Sequence, residues 1–377
     1  MVQDLVYAVR NLRRHPLIGA VAALTLGLGI GGATAVFSVV DAVLLRPLPF
    51  DTPDRLVRIH EVTPDGVPFS FSAQNVLDLE VGTRALEHVT AFREMGTMVL
   101  ADGGDPQRVV AVPVSASLPE VLKVSPALGR FFSPEEDRPQ APERPVVLGD
   151  RLWRGRFGAE PSILGRIVRL DGEPFTVVGV MPRGLDFPRG ADAWIPLRAD
   201  RRRDRDDKEL AVIGRLAPGA SVSGLRGELR AFGRALSDAH PASNRGWSAG
   251  ALRFDEWLVA PRFRDAVWIL FGAVSLLLLL ACANVANLLV AHGATRHGEM
   301  RIRAALGAGR ARIARQLFTE SAVLGAVGTI ASVLVAFWSI AAVHALGDNR
   351  VPRLEEVRVD AMVLGFACLA GMVSCLV

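Results

Sequence analysis

Four long apolar runs divide the chain of 377 residues, at 16–45, 266–290, 322–346 and 361–377. A helix of about 20 apolar residues crosses a hydrocarbon core of about 30 Å. The first three runs reach this length. The fourth is only about 26 Å long as a helix, and it stops at the last residue of the chain. The pattern predicts an α-helical membrane protein with four spans, the last of them truncated.

Between the first two runs, residues 46–265 have the mixed polarity of a folded domain. Their periodicity predicts an α+β domain made of two βαβ-like pieces and a β-rich insert between them. The first piece comprises strand 56–61, helix 72–88 and strands 98–100 and 107–114. The second comprises strand 210–216, helix 223–239 and strand 248–254. The insert comprises strand 146–148, helix 150–157 and a hairpin of 167–170 with 175–180.

The distribution of arginine predicts the orientation in the membrane. Residues 291–321 carry six arginines and two acidic residues between the second and third runs. Lys and Arg beside a span are retained in the cytoplasm, so this loop is predicted to be cytoplasmic. The domain 46–265 and the loop 347–360 are then extracytoplasmic.

Residues 1–15 are predicted to form an amphipathic helix in the inner headgroup layer. Apolar side chains share one face, and Arg10, Arg13 and Arg14 lie near the end. A cleaved signal peptide is the alternative for the first run. It is disfavoured because the apolar core of a signal peptide has only about 7–15 residues.

The cytoplasmic loop is patterned as two short helices around a glycine turn. Glu299 can pair with Arg303 at i,i+4, and Gly307 interrupts the periodicity. A plain topological anchor, the alternative, needs the arginines but not this pattern. We therefore predict a docking loop with the coupling residues Arg296, Glu299, Met300, Arg301, Arg303, Leu306 and Gly307.

Two pairs of residues inside the runs predict helix packing. Gly27 and Gly31 form a GxxxG pair, which allows close helix approach, although glycine is also common in spans generally. Asn284 and Asn287 at i,i+3 face one way, and their amides can bond to another helix. A polar lining for a substrate is the alternative for the two asparagines.

A dense charged run at 198–209 holds six basic and five acidic residues. Such a mixed run is most often a solvated loop, and we predict one here.

Composition excludes several classes of chemistry. The net charge of +4 is carried almost wholly by arginine beside apolar runs, which fits anionic lipid better than nucleic acid. Lys123 and Lys208 are the only lysines, and neither follows glycine, so the sequence has no P-loop. The histidines are scattered without metal-ligand spacing, and the three cysteines lie in apolar runs.

Several motifs, in order, resemble the permease subunits of MacB/FtsX-type ABC transporters, particularly their stand-alone bacterial permeases. The N-terminal part and the basic loop carry three of them, at 10–14 with 24–31, at 42–49 and at 299–308. Residues 46–265 resemble the MacB-like periplasmic core domain through the motifs at 128–132, 152–158 and 176–182. Residues 266–377 resemble the FtsX-like permease region.

This resemblance implies a porter-like subdomain and a location in the bacterial inner membrane. It also implies partners, namely a separate ABC ATPase, a second permease half (another copy or a fused repeat) and a periplasmic adaptor protein. We expect Gly27 and Gly31, with Asn284 and Asn287, to line contacts with that second half. ATP and Mg would then bind the ATPase, with no cofactor on this chain and no enzymatic activity of its own. MacB itself carries its ATPase on the same chain, and here the sequence begins at the permease.

Two functions from different classes fit the sequence. The first is an ABC transporter permease for efflux or export. The second is a membrane sensor or scaffold whose outer domain binds a ligand or partner without transport. The third and fourth apolar runs favour the permease.

Overall fold

The computed structural model describes residues 10, 16–46, 48–94, 96–102, 105–200, 202–259, 261–295, 310–346 and 357–376. The chain forms two compact units. The membrane unit comprises Met1–Arg46 and Val259–Val377, and the outer domain comprises Pro47–Leu258. The predicted helix at 1–15 lies, apart from Arg10, outside the described residues.

The helices of the described chain are α1 Pro16–Val40, α2 Ala73–Gly82, α3 Leu118–Leu122, α4 Asp150–Phe157, α5 Val222–Ala239, α6 Pro241–Asn244, α7 Phe254–Leu258, α8 Pro261–Thr295, α9 Arg310–Leu346 and α10 Ala361–Leu376. A π-helical turn, Asp41–Leu45, continues α1. Short 3₁₀ turns occur at Pro53–Arg55 and Pro161–Ile163.

The strands of the described chain are β1 Leu56–Val62, β2 Pro68–Phe69, β3 Phe71–Ser72, β4 Leu86–Arg93, β5 Thr97–Leu100, β6 Gln107–Val114, β7 Leu128–Gly129, β8 Pro145–Leu148, β9 Ile167–Leu170, β10 Glu173–Val180, β11 Ala193–Pro196, β12 Lys208–Leu216 and β13 Ser248–Arg253.

In the membrane unit, three stretches are long and apolar enough to cross a bilayer: Gly19–Leu45, Pro261–Leu288 and Gly325–Ala342. A shorter apolar helix, Ala361–Ser374, lies where the fourth span is predicted. Both α8 and α9 extend past the predicted spans into the loop 291–321. The described ends of that loop are therefore helical continuations of the two spans.

One half of the outer domain is a sheet of four strands in the order β4-β12-β1-β13, with antiparallel neighbours. Helices α2 and α5 each connect two strands that run in the same direction with a third strand between them. This is the split βαβ arrangement. One face of the sheet packs on these helices through an apolar core that includes Val57, Ile59, Val76, Leu79, Val212, Leu225 and Leu229.

The insert is a small barrel. Its strands pair in the ring β8-β10-β9-β5-β6-β11, and β11 returns to pair with β8. The prediction that strands 98–100 and 107–114 belong to the first βαβ-like piece is wrong, because they are β5 and β6 of this barrel and β4 completes the first piece. The predicted hairpin is present, with Leu170 opposite Glu173. Its turn residues Asp171 and Gly172 both have positive φ, as a tight two-residue turn requires. Alternating side chains fill the barrel, among them Leu100, Val109, Val146, Val168, Leu170 and Val177.

Two predicted boundaries in the outer domain are wrong. The helix predicted at 72–88 ends at Gly82, and His88 lies in β4. Apolar residues continue at helical spacing past Gly82, but pairing with β12 gives them more buried contact as a strand. Phe254 begins helix α7 instead of ending a strand.

The prediction of a solvated loop at 198–209 is wrong at its C-terminal end. Lys208 begins β12, and its side chain is buried against the carboxylate of Glu61. The amide of Asn75 donates to the same carboxylate at 2.7 Å, and the Lys208 ammonium lies 4.3 Å from the centre of the Trp247 ring. Sequence-local charge density cannot identify this lysine because its partners are distant along the chain.

Candidate functional site

All seven predicted coupling residues lie outside the described part of the chain. The structure describes α8 to Thr295 and resumes at Arg310, so the intervening loop stays a prediction. The residues concerned are Arg296, Glu299, Met300, Arg301, Arg303, Leu306 and Gly307.

The predicted glycine pair lies where two helices of this chain meet. A Cβ on Gly27 would be 2.9 Å from the Ala331 Cβ, and one on Gly31 would be 2.7 Å from the Val335 Cβ. Only glycine permits this approach of α1 to α9. The predicted contact of this pair with a second permease half is therefore not what the structure shows, because α9 of the same chain covers both positions.

Unlike the glycine pair, the two predicted asparagines are not covered by another helix of the described chain. Asn284 and Asn287 are exposed on α8. They continue a row of exposed positions with heptad spacing: Leu270, Ala273, Leu277 and Leu280. We call these six residues the α8 seam. In lipid, an exposed amide lacks the hydrogen-bond partners that water would supply. The seam is therefore the part of α8 that gains most from a protein partner.

In the outer domain, a buried arginine holds the segment that follows the first span. Arg215 on β12 has no exposed surface. Its guanidinium donates to the Asp51 carbonyl at 3.0 Å and the Thr52 hydroxyl at 2.9 Å, while its Nε donates to the Val121 carbonyl at 2.7 Å. The Arg55 Nε adds a bond to the Leu216 carbonyl at 2.9 Å. The backbone at 51–55 is thus fixed to β12 and to the end of α3.

An aromatic cluster joins the two segments that lead to the spans. Phe50 follows the first span in sequence, and Phe254 and Trp257 on α7 precede the second. The Phe254 ring centre lies 6.0 Å from that of Phe50 and 5.5 Å from that of Trp257. Phe187 completes the cluster, 5.4 Å from Phe254. The Trp194 indole N–H donates to the Phe187 carbonyl at 3.0 Å, which fixes this loop residue.

Two further contacts reinforce this junction. The Arg253 guanidinium donates to the Asp54 carboxylate at 2.9 Å, directly linking the two segments. The guanidinium carbon of Arg58, on β1, lies 4.8 Å from the centre of the Trp257 ring. The same guanidinium donates to the Val212 carbonyl at 3.2 Å. Burial lowers the pKa of Arg58 to about 10, which the nearby Glu94 carboxylate partly offsets. Arg58 therefore remains charged at neutral pH.

We call Phe50, Phe187, Arg215, Phe254 and Trp257 the linker junction. Through it, both linkers are in contact with the rest of the outer domain. Sequence reasoning missed all five residues. Arg215 carried one signal, because it interrupts an otherwise apolar strand.

Within the described residues, His, Cys, Asp and Glu side chains form no group of three or more that could hold a metal ion.

Together the apolar helices and the mixed α/β domain define a membrane protein with an extracytoplasmic domain. The chain belongs to the family with a MacB-like periplasmic core domain, whose model matches residues 20–232. The model of the FtsX-like permease C-terminal region matches residues 271–377. The chain is therefore a permease of the MacB/FtsX type.

Among curated proteins, the macrolide export ATP-binding/permease protein MacB of Nitrosomonas europaea is 29% identical over 59% of this chain and 35% of its own length. MacB of Hyphomonas neptunium is 25% identical over 78% of this chain and 47% of its own length. The pyoverdine export ATP-binding/permease protein PvdT of Pseudomonas aeruginosa is 25% identical over 67% and 37%. The chain thus spans between a third and a half of the length of these relatives.

Among solved structures, the chain is similar to the extracellular domain of the ABC-type transporter YknZ from Gram-positive bacteria. The identity is 17%, the TM-score is 0.40, and the match covers 52% of this chain and 99% of that one. It is also similar to the periplasmic region of MacB from Actinobacillus actinomycetemcomitans. There the identity is 14%, the TM-score is 0.41, and the match covers 55% and 92%.

The linker junction makes a testable prediction. Arg215→Met keeps an unbranched apolar stem but leaves the carbonyls of Asp51 and Val121 and the Thr52 hydroxyl without their donor. We expect a loss of about 3 kcal/mol in the free energy of unfolding of the outer domain. Urea unfolding of the full chain in nanodiscs, followed by tryptophan fluorescence, measures it. Arg230→Met, on an exposed turn of α5, is the control. Equal midpoints for the two variants would mean that Arg215 does not hold the linker.

Proposed function

We propose that this chain is the permease subunit of an ABC transporter. It couples ATP hydrolysis by a separate cytoplasmic ATPase to conformational change of its extracytoplasmic domain, in efflux or export. ATP and Mg bind the ATPase, and this chain transmits the conformational change of the ATPase to the extracytoplasmic domain. The proposal includes four spans in a bacterial inner membrane and a periplasmic adaptor as a further partner.

The observation that carries this proposal is the linker junction. A ligand-binding sensor needs a binding site in its outer domain, but it does not need both membrane linkers fixed into one packed cluster. In this chain Phe50 and Phe254 are in ring contact, and Arg253 bridges to Asp54. A displacement of either span is therefore passed to the whole sheet through contacts that are too closely packed to absorb it.

A second permease half is part of the proposal, and the α8 seam supports it. Heptad positions on two copies of α8 can interdigitate, and polar residues at such positions fix register and partner. Asn284 and Asn287 would then bond to their counterparts, at about 0.6 kcal/mol for each interhelical hydrogen bond. The glycine pair is already covered by α9, so we assign the contact with the other half to the seam, which combines heptad spacing with two exposed amides.

Cysteine crosslinking tests the seam. Leu280 and Leu279 are neighbours on α8 with nearly equal exposure, 57% and 59%, but only Leu280 lies on the seam. In a background without native cysteines, Leu280→Cys is expected to crosslink two copies in membranes, and Leu279→Cys is not. Equal crosslinking of both variants, or none at position 280, would contradict the seam.

The coupling loop gives a prediction for the motion itself. Apolar contacts carry most docking energy, while charges at the rim set orientation and association rate. Leu306→Asp is therefore expected to lower the chain's stimulation of its partner ATPase by tenfold or more, that is, by about 1.4 kcal/mol of coupling or above. Arg310→Ala should have a smaller effect. The measurement is ATPase rate in nanodiscs, together with co-purification of the two proteins.

Both variants should still insert correctly, because enough arginines remain in the loop to hold topology. If Leu306→Asp leaves the ATPase rate and the co-purification unchanged, the loop serves only as a topological anchor, and the proposed coupling is wrong.

A further inference from the structure

The first span ends in a π-helical turn. The Arg46 backbone N–H donates to the Asp41 carbonyl at 2.7 Å, a bond between residues five apart. An α-helix would make this bond between residues four apart, so the turn holds one extra residue. Such turns are rare and frequently lie at functional sites, which makes the side-chain support of this one informative.

Here the support comes from the same two residues. The Arg46 guanidinium donates to the Asp41 carboxylate at 2.8 Å. The Asp41 side chain is only 4% exposed, so leaving its carboxylate without this partner would be costly. Side chain and backbone therefore connect residues 41 and 46 together, and the ion pair stabilises the π-turn specifically.

Arg46 also connects to the other end of the chain. The same guanidinium nitrogen donates to the Asp360 carboxylate. The other oxygen of Asp360 accepts the backbone N–H groups of Met362 and Val363, both at 3.1 Å, at the start of α10. The Val363 N–H and the Arg46 charge hold the pKa of Asp360 below its usual range. We call Asp41, Arg46 and Asp360 the Arg46 bridge.

Apolar contacts follow the bridge along the two helices. Ala42 on the π-turn belongs to a buried cluster with Ile340 of α9 and Val357, close to the start of α10. Further along, the rings of Phe37 and Phe366 stack with centres 4.3 Å apart and planes 8° apart. The end of α1 and the start of α10 thus meet over a continuous surface, with the bridge at its edge.

We propose that the Arg46 bridge is a conformational switch in which the π-turn opens when Arg46 separates from Asp360. Opening breaks the bond from the Arg46 backbone N–H to the Asp41 carbonyl and so changes the direction in which the chain leaves α1. The position of α10 is thereby linked to the conformation at the end of α1. A two-state element biased from both sides is the physical requirement for coupling. Its role in transport rests on the proposed function, and the switch itself does not.

Amide hydrogen exchange of the full chain in nanodiscs tests the switch without any ATPase. Arg46→Gln removes the charge that joins the two carboxylates. Peptides covering residues 41–46 should then exchange at least about fivefold faster. Arg46→Lys keeps the charge and should retain most of the protection. Arg358→Gln is the control, because it removes an exposed arginine charge near Asp360 while leaving the bridge intact.

The second arm repeats the variants with the co-expressed ABC ATPase. A fall in ATPase stimulation for Arg46→Gln, but not for Arg358→Gln, supports the coupling role. Unchanged exchange in Arg46→Gln overturns the switch. Faster exchange with unchanged stimulation overturns its part in coupling. If the wild-type chain stimulates no ATPase, the proposed function fails, and the exchange result still decides whether the bridge holds the turn.

Discussion

The pairing of β1 with β13 is the constraint on which the outer domain depends. These strands enter and leave the domain, and they lie side by side with Val57 opposite Arg253. Both linkers therefore start at one edge of one sheet. The other contacts of the linker junction require this register, because the bridge from Arg253 to Asp54 and the stacking of Arg58 on Trp257 involve residues at the ends of the two strands.

Burying the polar groups at this edge of the sheet costs free energy, which explains why their hydrogen bonds are satisfied. Burying a guanidinium is unfavourable by several kcal/mol unless its donors are satisfied. Arg215 meets this condition through the Asp51 carbonyl and the Thr52 hydroxyl of the linker and through the Val121 carbonyl of α3. A movement of the linker would therefore leave a buried charge without part of its hydrogen bonds. A buried guanidinium would destabilise the fold if it were unpaired, but here it makes the connection between the linker and β12 stiff.

Sequence patterns predicted the elements whose partners are nearby. The hairpin at 167–180 and the helix at 150–157 follow from local periodicity and turn chemistry. The predictions failed where contacts with residues distant in the sequence determine the structure. The strand β4 depends on pairing with β12, and the burial of Lys208 depends on Glu61, 147 positions away. Arg46 and Asp360 are separated by 314 positions, so no local pattern could join them. The docking role of the loop containing Leu306 remains a prediction that rests on its arginines and its helical spacing.

If motion passes from a cytoplasmic ATPase to the outer domain, the loop at 291–321 and the domain Pro47–Leu258 must lie on opposite sides of the membrane. Single cysteines at exposed Ser162 of the outer domain and at Ala308 of the loop test this directly, in a chain lacking Cys282, Cys368 and Cys375. An impermeant thiol reagent added to intact cells should label the Ser162→Cys chain, and should label the Ala308→Cys chain only after lysis. Labelling of the Ala308→Cys chain but not the Ser162→Cys chain in intact cells would contradict the account.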